Sequence, residues 1–144
     1  MKSITASWQI WALFSAVFAA LTAIFAKVGM KDINSDFATF IRTIVILFVL
    51  AGILIATDQF QPLSVISKKS LLFLILSGIA TGASWLCYFR ALKIGNASQV
   101  APVDKLSVIL VAVFGVLFLG EHLSIIHWLG IFLIATGVIV LAVF

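Results

Sequence analysis

The stretch Trp85–Glu121, WLCYFRALKIGNASQVAPVDKLSVILVAVFGVLFLGE, decides how the chain must be read. It joins the end of one apolar run to the whole of another through Gly95-Asn96, a dipeptide that marks a turn. The second run contains Pro102 and an adjacent Asp104-Lys105 pair, then continues without charge to Leu119. Charges placed that far inside an apolar helix need partners, water or a ligand.

The rest of the chain repeats this pattern. Of its 144 residues, 64% are hydrophobic and 10% charged, whereas soluble domains carry about 45–50% apolar and about 25% charged residues. The fold class is therefore an all-α integral membrane protein. A membrane-crossing helix needs about 20 mostly apolar residues. Five stretches approach that length, at residues 8–28, 37–57, 71–92, 97–119 and 125–144. Every connection between them is short, so the sequence predicts one five-helix bundle, a single transmembrane domain over residues 1–144. Lys2 precedes the first span and no convincing cleavage site follows it, which reads as a retained signal anchor. Asn34 or Ser35 is placed to cap the second helix.

Several classes of chemistry are excluded. The single Cys87 rules out an internal disulfide. His122 and His127 are five apart and do not share a helix face, so no metal site or cofactor is expected. The net charge of +4 is scattered rather than bunched as a nucleic-acid patch would be. No nucleophile–base pair stands at workable spacing, which argues against an enzyme.

Helical spacing sorts the remaining polar residues into faces. Trp11, Ser15 and Thr22 share a face of the first helix with Ala19 and Ala26, and such a small-residue stripe permits close helix approach. In the third helix Gly78, Gly82, Trp85 and Phe89 form a packing seam, while Ser77, Thr81, Ser84 and Tyr88 form a hydroxyl stripe suited to lining a cavity. Gly130 and Gly137 mark the fifth helix as a packing or dimer-contact helix.

In a five-helix serpentine, Lys27, Arg42, Arg90, Asp104 and Lys105 fall toward one side of the membrane. Arg42 and Asp104 both lie roughly 10 Å inside their helix ends, so the two are expected to meet across helices. An unpaired charge near mid-helix costs at least ~2.5–3.5 kcal/mol. Lys27 and Arg90, at helix ends, are expected to snorkel to the headgroups. Four positives against one negative would attract an anionic or zwitterionic solute. Lys2, Lys68 and Lys69 on one side nearly balance Lys27, Lys31, Arg90 and Lys93 on the other, which permits insertion in both orientations and an antiparallel homodimer.

These motifs carry a resemblance. Trp85 through Pro102, then Leu106-Ser107, Phe118-Leu119-Gly120-Glu121, Trp128-Leu129-Gly130 and Gly137, with Phe40-Ile41-Arg42 upstream, resemble an EamA domain of the drug/metabolite transporter superfamily over essentially the whole chain. Most relatives carry two such domains in inverted orientation, ten helices in all. The resemblance thus implies that this chain is one half and that two copies pair in the membrane lipid. It implies a multi-pass secondary transporter of the bacterial cytoplasmic (inner) membrane, exporting a small polar, anionic or zwitterionic metabolite by alternating access. The first helix lacks the carboxylate that four-helix multidrug exporters of the superfamily use. Asp104 is then the candidate for proton coupling. The expected pathway residues are Trp11, Ser15, Thr22, Arg42, Ser77, Thr81, Ser84, Tyr88, Asp104, Lys105 and Ser107. Two other roles fit the same residues: a subunit of a lipid-linked sugar flippase, and a non-transporting accessory subunit.

Overall fold

Helices follow one another in the order α1 (Trp8–Gly29), α2 (Ser35–Ala56), α3 (Lys68–Ile94), α4 (Ala97–Asp104), α5 (Ser107–Leu119) and α6 (Ile125–Val143), with a 3₁₀ turn at Leu63–Val65 before α3. The structure is a computed structural model and describes residues 7–144. Lys2, counted in the charge balance, lies outside the described residues. Five segments are long and apolar enough to cross a membrane, with α4 and α5 together forming the fourth, Ala97–Leu119. The fold is a multi-pass helical membrane protein. Its outward residues are Leu, Ile, Val and Phe, as at Leu47 and Phe48, and helices satisfy their backbone groups internally where no water can.

Local chemistry sets the helix ends. Asn34 caps α2: its Oδ1 accepts from the N–H groups of Asp36 at 2.8 Å and Phe37 at 3.3 Å, satisfying donors that the first turn leaves unpaired. The third helix starts earlier than hydropathy alone suggests, because Ser67 Oγ accepts from Ser70 N at 3.0 Å and draws Lys68 and Lys69 into the first turn. Ser124 and His127 form a reciprocal cap at the start of α6, with Ser124 Oγ accepting from His127 N and His127 Nδ1 accepting from Ser124 N. At the end of α5, Gly120 turns the chain at φ 68°, and Glu121 N donates to Gly115 O at 3.1 Å. The Glu121 side chain folds back over Gly115, where a Cβ would stand 2.6 Å from Oε2.

The fourth segment, expected to be one continuous span, is interrupted at Lys105-Leu106. From Lys105 to Ile109 the backbone donates to carbonyls three residues back: Lys105 N to Pro102 O, Leu106 N to Val103 O, Val108 N to Lys105 O and Ile109 N to Leu106 O, at 2.9–3.1 Å. Such a tightened stretch inside a helix marks a hinge or a strained sequence. It directly follows Asp104.

The chain divides into two compact units, one spanning Phe25–Lys93 and the other Ile94–Phe144 with the helix up to Ile24. In the first, the buried residues Ala26, Met30, Ser35, Ala38, Thr39, Phe89 and Leu92 belong to the end of α1, the start of α2 and the end of α3. In the second, α6 packs against α4 and α5, and Ala112, Gly115 and Val138 are buried.

Candidate functional site

Within Phe25–Lys93, charged side chains tie three helix ends together. Arg90 of α3 grips Asp36 of α2 through two bonds, Nε to Oδ1 at 2.9 Å and Nη2 to Oδ2 at 2.5 Å, a fork geometry that only arginine supplies. Lys27 of α1 donates to Leu92 O at 2.6 Å, and Lys93 donates to Ile33 O. The last carbonyls of a helix have no partner within it and carry the negative end of its dipole, so Lys27 answers both needs of α3. Lys27 and Arg90, expected to reach for headgroups, are held by protein groups.

Arg42 is different. Its guanidinium lies over the Phe89 ring at 3.9 Å from the centroid, and its Nη1 is buried with no hydrogen-bond partner. Phe89 is almost fully buried at 1% exposure and meets Tyr88 edge-on at 5.2 Å, so the platform under the cation is fixed. Helical side chains lean toward their own N-terminus. Phe89 precedes Arg90, which meets Asp36, so Arg42 leans toward the tied end of the unit and stops at the ring. Asp104, the partner expected for Arg42, belongs to the other unit, where it lies 3.4 Å from the ammonium of its neighbour Lys105.

The same unit carries an open groove of about 610 Å³ between α2 and α3. From α2 it is lined by Asp36, Thr39, Phe40 and Thr43, which fall at i, i+3, i+4 and i+7 and so share one face. From α3 come Leu74, Ser77, Gly78, Thr81, Gly82, Trp85 and Leu86. Of the hydroxyl stripe expected in α3, Ser77 and Thr81 line the groove; Ser84 and Tyr88 do not. The glycines expected to form a packing seam border open space, since a Cβ at Gly78 or Gly82 would meet nothing within 4 Å. The Thr hydroxyls are bonded back to their helices, Thr39 to Ser35 O at 2.7 Å, Thr43 to Thr39 O at 2.8 Å and Thr81 to Ser77 O at 2.9 Å.

In the other unit, Asp104 is half-buried at the end of α4, Lys105 is exposed within the interruption, and Ser107 is exposed at the start of α5. Trp11 and Ser15 are exposed on α1 and Thr22 is half-buried there. Among the described residues no group of three or more His, Cys, Asp or Glu side chains is placed to hold a metal ion.

Residues 6–143 match the model of the EamA-like transporter family. The chain belongs to the EamA-like transporter family. It is 65% identical over 138 residues, 96% of this chain and 98% of the other, to a Sinorhizobium sp protein named uncharacterized transporter in cobO 3'region. It is 28% identical over 131 residues, 91% of this chain and 93% of the other, to an uncharacterized protein of Methanocaldococcus jannaschii. Over 74 residues, 51% of this chain and 67% of the other, it is 31% identical to a probable 4-amino-4-deoxy-L-arabinose-phosphoundecaprenol flippase subunit of Hamiltonella defensa. No solved structure matches the chain.

The geometry gives the motifs of this EamA-like chain local meanings. Gly120 and Glu121 close α5 over Gly115, and Pro102 and Leu106-Ser107 flank the interruption of the fourth span. Asp36, Thr39, Thr43 and Phe89 went unrecognised as site residues when the sequence was read. The periodic run of Asp36, Thr39 and Thr43 along an otherwise apolar helix was the available signal.

Proposed function

We propose that the protein is a secondary transporter that exports a small polar, anionic or zwitterionic metabolite across the bacterial cytoplasmic membrane. The observation that carries this reading is Arg42, a cation inside a membrane span whose Nη1 is buried without a partner. A guanidinium held on an aromatic platform, with donors unspent, is suited to a carboxylate or phosphate that arrives and leaves. The transporter family of the chain and its Sinorhizobium relative support the same role.

The chain acts as a single transmembrane domain that works in pairs. Two copies reproduce the ten-helix inverted repeat of the superfamily, and the near-balanced loop charges allow them to insert antiparallel. Rocking of the two halves supplies alternating access, with no catalytic step. The interruption after Asp104 places a half-buried carboxylate beside a flexible joint, which makes Asp104 the candidate for proton coupling.

Flux into proteoliposomes, with and without a pH gradient, tests this. Saturable uptake of an amino acid, sugar acid or similar metabolite that falls sharply in Arg42→Met supports the reading. Vesicles inert across a broad solute panel end it. Asp104→Asn should lose the pH dependence of flux; if that dependence survives, Asp104 has no coupling role. Topology is read from a single cysteine in the loop between α2 and α3, in a Cys87-free background, with labelling from both sides expected.

A second reading, one subunit of a flippase for a lipid-linked sugar, is favoured by the likeness to the Hamiltonella defensa protein. Arg42 would then meet the lipid phosphate. Flipping of a fluorescent lipid-linked sugar by vesicles that ignore every soluble solute selects it.

A further inference from the structure

We infer that the α2–α3 groove is a binding site for an amine: a primary ammonium on an apolar body. The inference rests on which partner each groove hydroxyl already has. Thr39, Thr43 and Thr81 each place Oγ1 at 2.7–2.9 Å from a backbone carbonyl of their own helix. A carbonyl can only accept, so each hydroxyl has spent its one proton there and has lone pairs alone left to offer a ligand. Asp36 is likewise an acceptor. Arg90 occupies one direction on each of its oxygens, at 2.9 and 2.5 Å, and the Ser35 hydroxyl a second on Oδ1 at 3.4 Å, so of the roughly four directions a carboxylate offers one on Oδ2 remains. Donors are confined to the Ser77 hydroxyl and the Trp85 indole, and the face of that indole favours a cation.

An acceptor ladder therefore runs from Asp36 inward through Thr39 to Thr43 on one wall, with Thr81 on the other. Phe40, Leu74 and Leu86 add apolar wall, and Gly78 and Gly82 keep the floor open. The groove volume of about 610 Å³ is that of a small-molecule site, typically about 300–1,000 Å³. Lipid tails bring no donors to a carboxylate and three hydroxyls. A second copy docking a helix here would bring mostly the Leu, Ile, Val and Phe that cover its spans. An ammonium brings three donors and the complementary charge. Arg42 stands about 100° round α2 from Thr43, on a neighbouring face, so the amine site is separate from the anion site. The two together select a zwitterion over a simple anion. This assignment rests on the transporter reading for its role, but binding can be measured without flux.

The test uses the full chain labelled with 5-fluorotryptophan in phosphatidylcholine nanodiscs, following the ¹⁹F resonance of Trp85. n-Octylamine, n-octyltrimethylammonium and n-octanol share an apolar body; the second has the charge without an N–H donor, and the third lacks the charge. n-Octylamine should shift the Trp85 resonance saturably, and bind about tenfold more tightly than either of the others. Thr81→Val should weaken it several-fold, Gly78→Leu should abolish it by filling the floor, and Thr136→Val, a back-bonded threonine of α6, should change nothing. Equal response to the three probes, or none that saturates, overturns the inference. A Trp85 shift that follows the number of chains per disc and ignores octylamine overturns it in favour of a second copy. Replacing phosphatidylcholine with phosphatidylethanolamine separates the sources of the amine. If a lipid headgroup occupies the site, Trp85 starts shifted and octylamine competes poorly; if a free amine does, the titration is unchanged. Flux lost with octylamine binding intact counts against the transporter alone, and flux intact with the three probes equal counts against the groove alone.

Discussion

Replacing Arg42 with methionine should make the protein more stable and less active. Arg42 stands seven residues after Ser35, the first residue of α2, and so roughly 10 Å along the helix axis. A charged side chain at the centre of a span costs about 2.5–3.5 kcal/mol on insertion scales. Arg42 is off centre and leans outward, which lowers that cost. Its stacking on Phe89 at 3.9 Å returns about 1 kcal/mol. The orphaned Nη1 works the other way, since a buried donor without a partner forfeits its hydration, about 1–3 kcal/mol. The ring contact is smaller than the costs set against it, so the balance is a net burden, which methionine removes. Methionine keeps the unbranched stem and can rest on the same ring through its sulfur.

The assay is reversible unfolding in mixed micelles of increasing sodium dodecyl sulfate fraction, followed by far-UV circular dichroism, alongside flux in vesicles. Arg42→Met should unfold at a higher detergent fraction while flux drops at least about tenfold, the value of one lost charge-assisted contact to substrate. A variant destabilised by more than about 1 kcal/mol with flux intact would falsify the reasoning, because Arg42 would then be serving the fold through its ring contact. Stabilisation with unchanged flux would leave the burial argument standing and remove Arg42 from the substrate path.

Three further outcomes follow from the geometry. Exchanging Asp36 and Arg90 as a pair (D36R with R90D) should recover most of the thermal stability that either single change loses, because their forked bond ties α2 to α3; a double variant no better than the worse single variant shows that the pair is incidental. Amides of Lys105 to Ile109 should exchange with deuterium faster than those of α5 beyond them, as their three-residue bonding is weaker, and uniform protection across residues 97–119 would remove the joint. Gly120→Ala should cost about 1–2 kcal/mol because of the left-handed backbone, whereas Gly115→Ala should cost less than about 1 kcal/mol and should cost nothing in a Glu121→Ala background, since the only obstacle is a movable side chain; equal Gly115→Ala penalties in both backgrounds would contradict the contact.

What the sequence conveyed was local or periodic. Hydropathy found the spans because lipid imposes a length on them, and cap chemistry narrowed the start of α2 to Asn34 or Ser35 because a cap acts on its own few residues. Contacts between helices were another matter. The depth of Arg42 says nothing about which way its side chain points round α2, so the ring of Phe89 beneath its guanidinium was not legible. Gly78 and Gly82 allow close approach of a neighbour without requiring one, so the same spacing that reads as a seam serves as the floor of a groove. Asp36, Thr39 and Thr43 recur at helical spacing in the sequence, but only the packing of α3 beside them makes that face one wall of a groove. Threonine, too, is ambiguous until its proton is placed: back-bonded, it is inert glue to the eye and an acceptor to a ligand.

The layer of five charges read from the sequence resolves into separate local solutions, and the way they differ bears on function. Lys27 is answered by the terminal carbonyl of α3 and Arg90 by the forked contact with Asp36, both arrangements that secure helix ends. Lys105 and Asp104 answer each other across a single peptide bond, at 3.4 Å and half in the open, beside the interruption of the fourth span. Arg42 rests on the ring of Phe89, and its buried Nη1 has no acceptor. A fold that had only stability to satisfy could remove that cation with a single substitution to an apolar residue, as it has at nearly every other position of α2 beyond Thr43. On the transporter reading proposed above, an anionic substrate would offset the cost of keeping it. The acceptor groove one face away on α2, rich in lone pairs and poor in donors, has the complementary deficit. A solute carrying both a carboxylate or phosphate and an amine would satisfy the two sites together, whereas a simple anion would satisfy only the first.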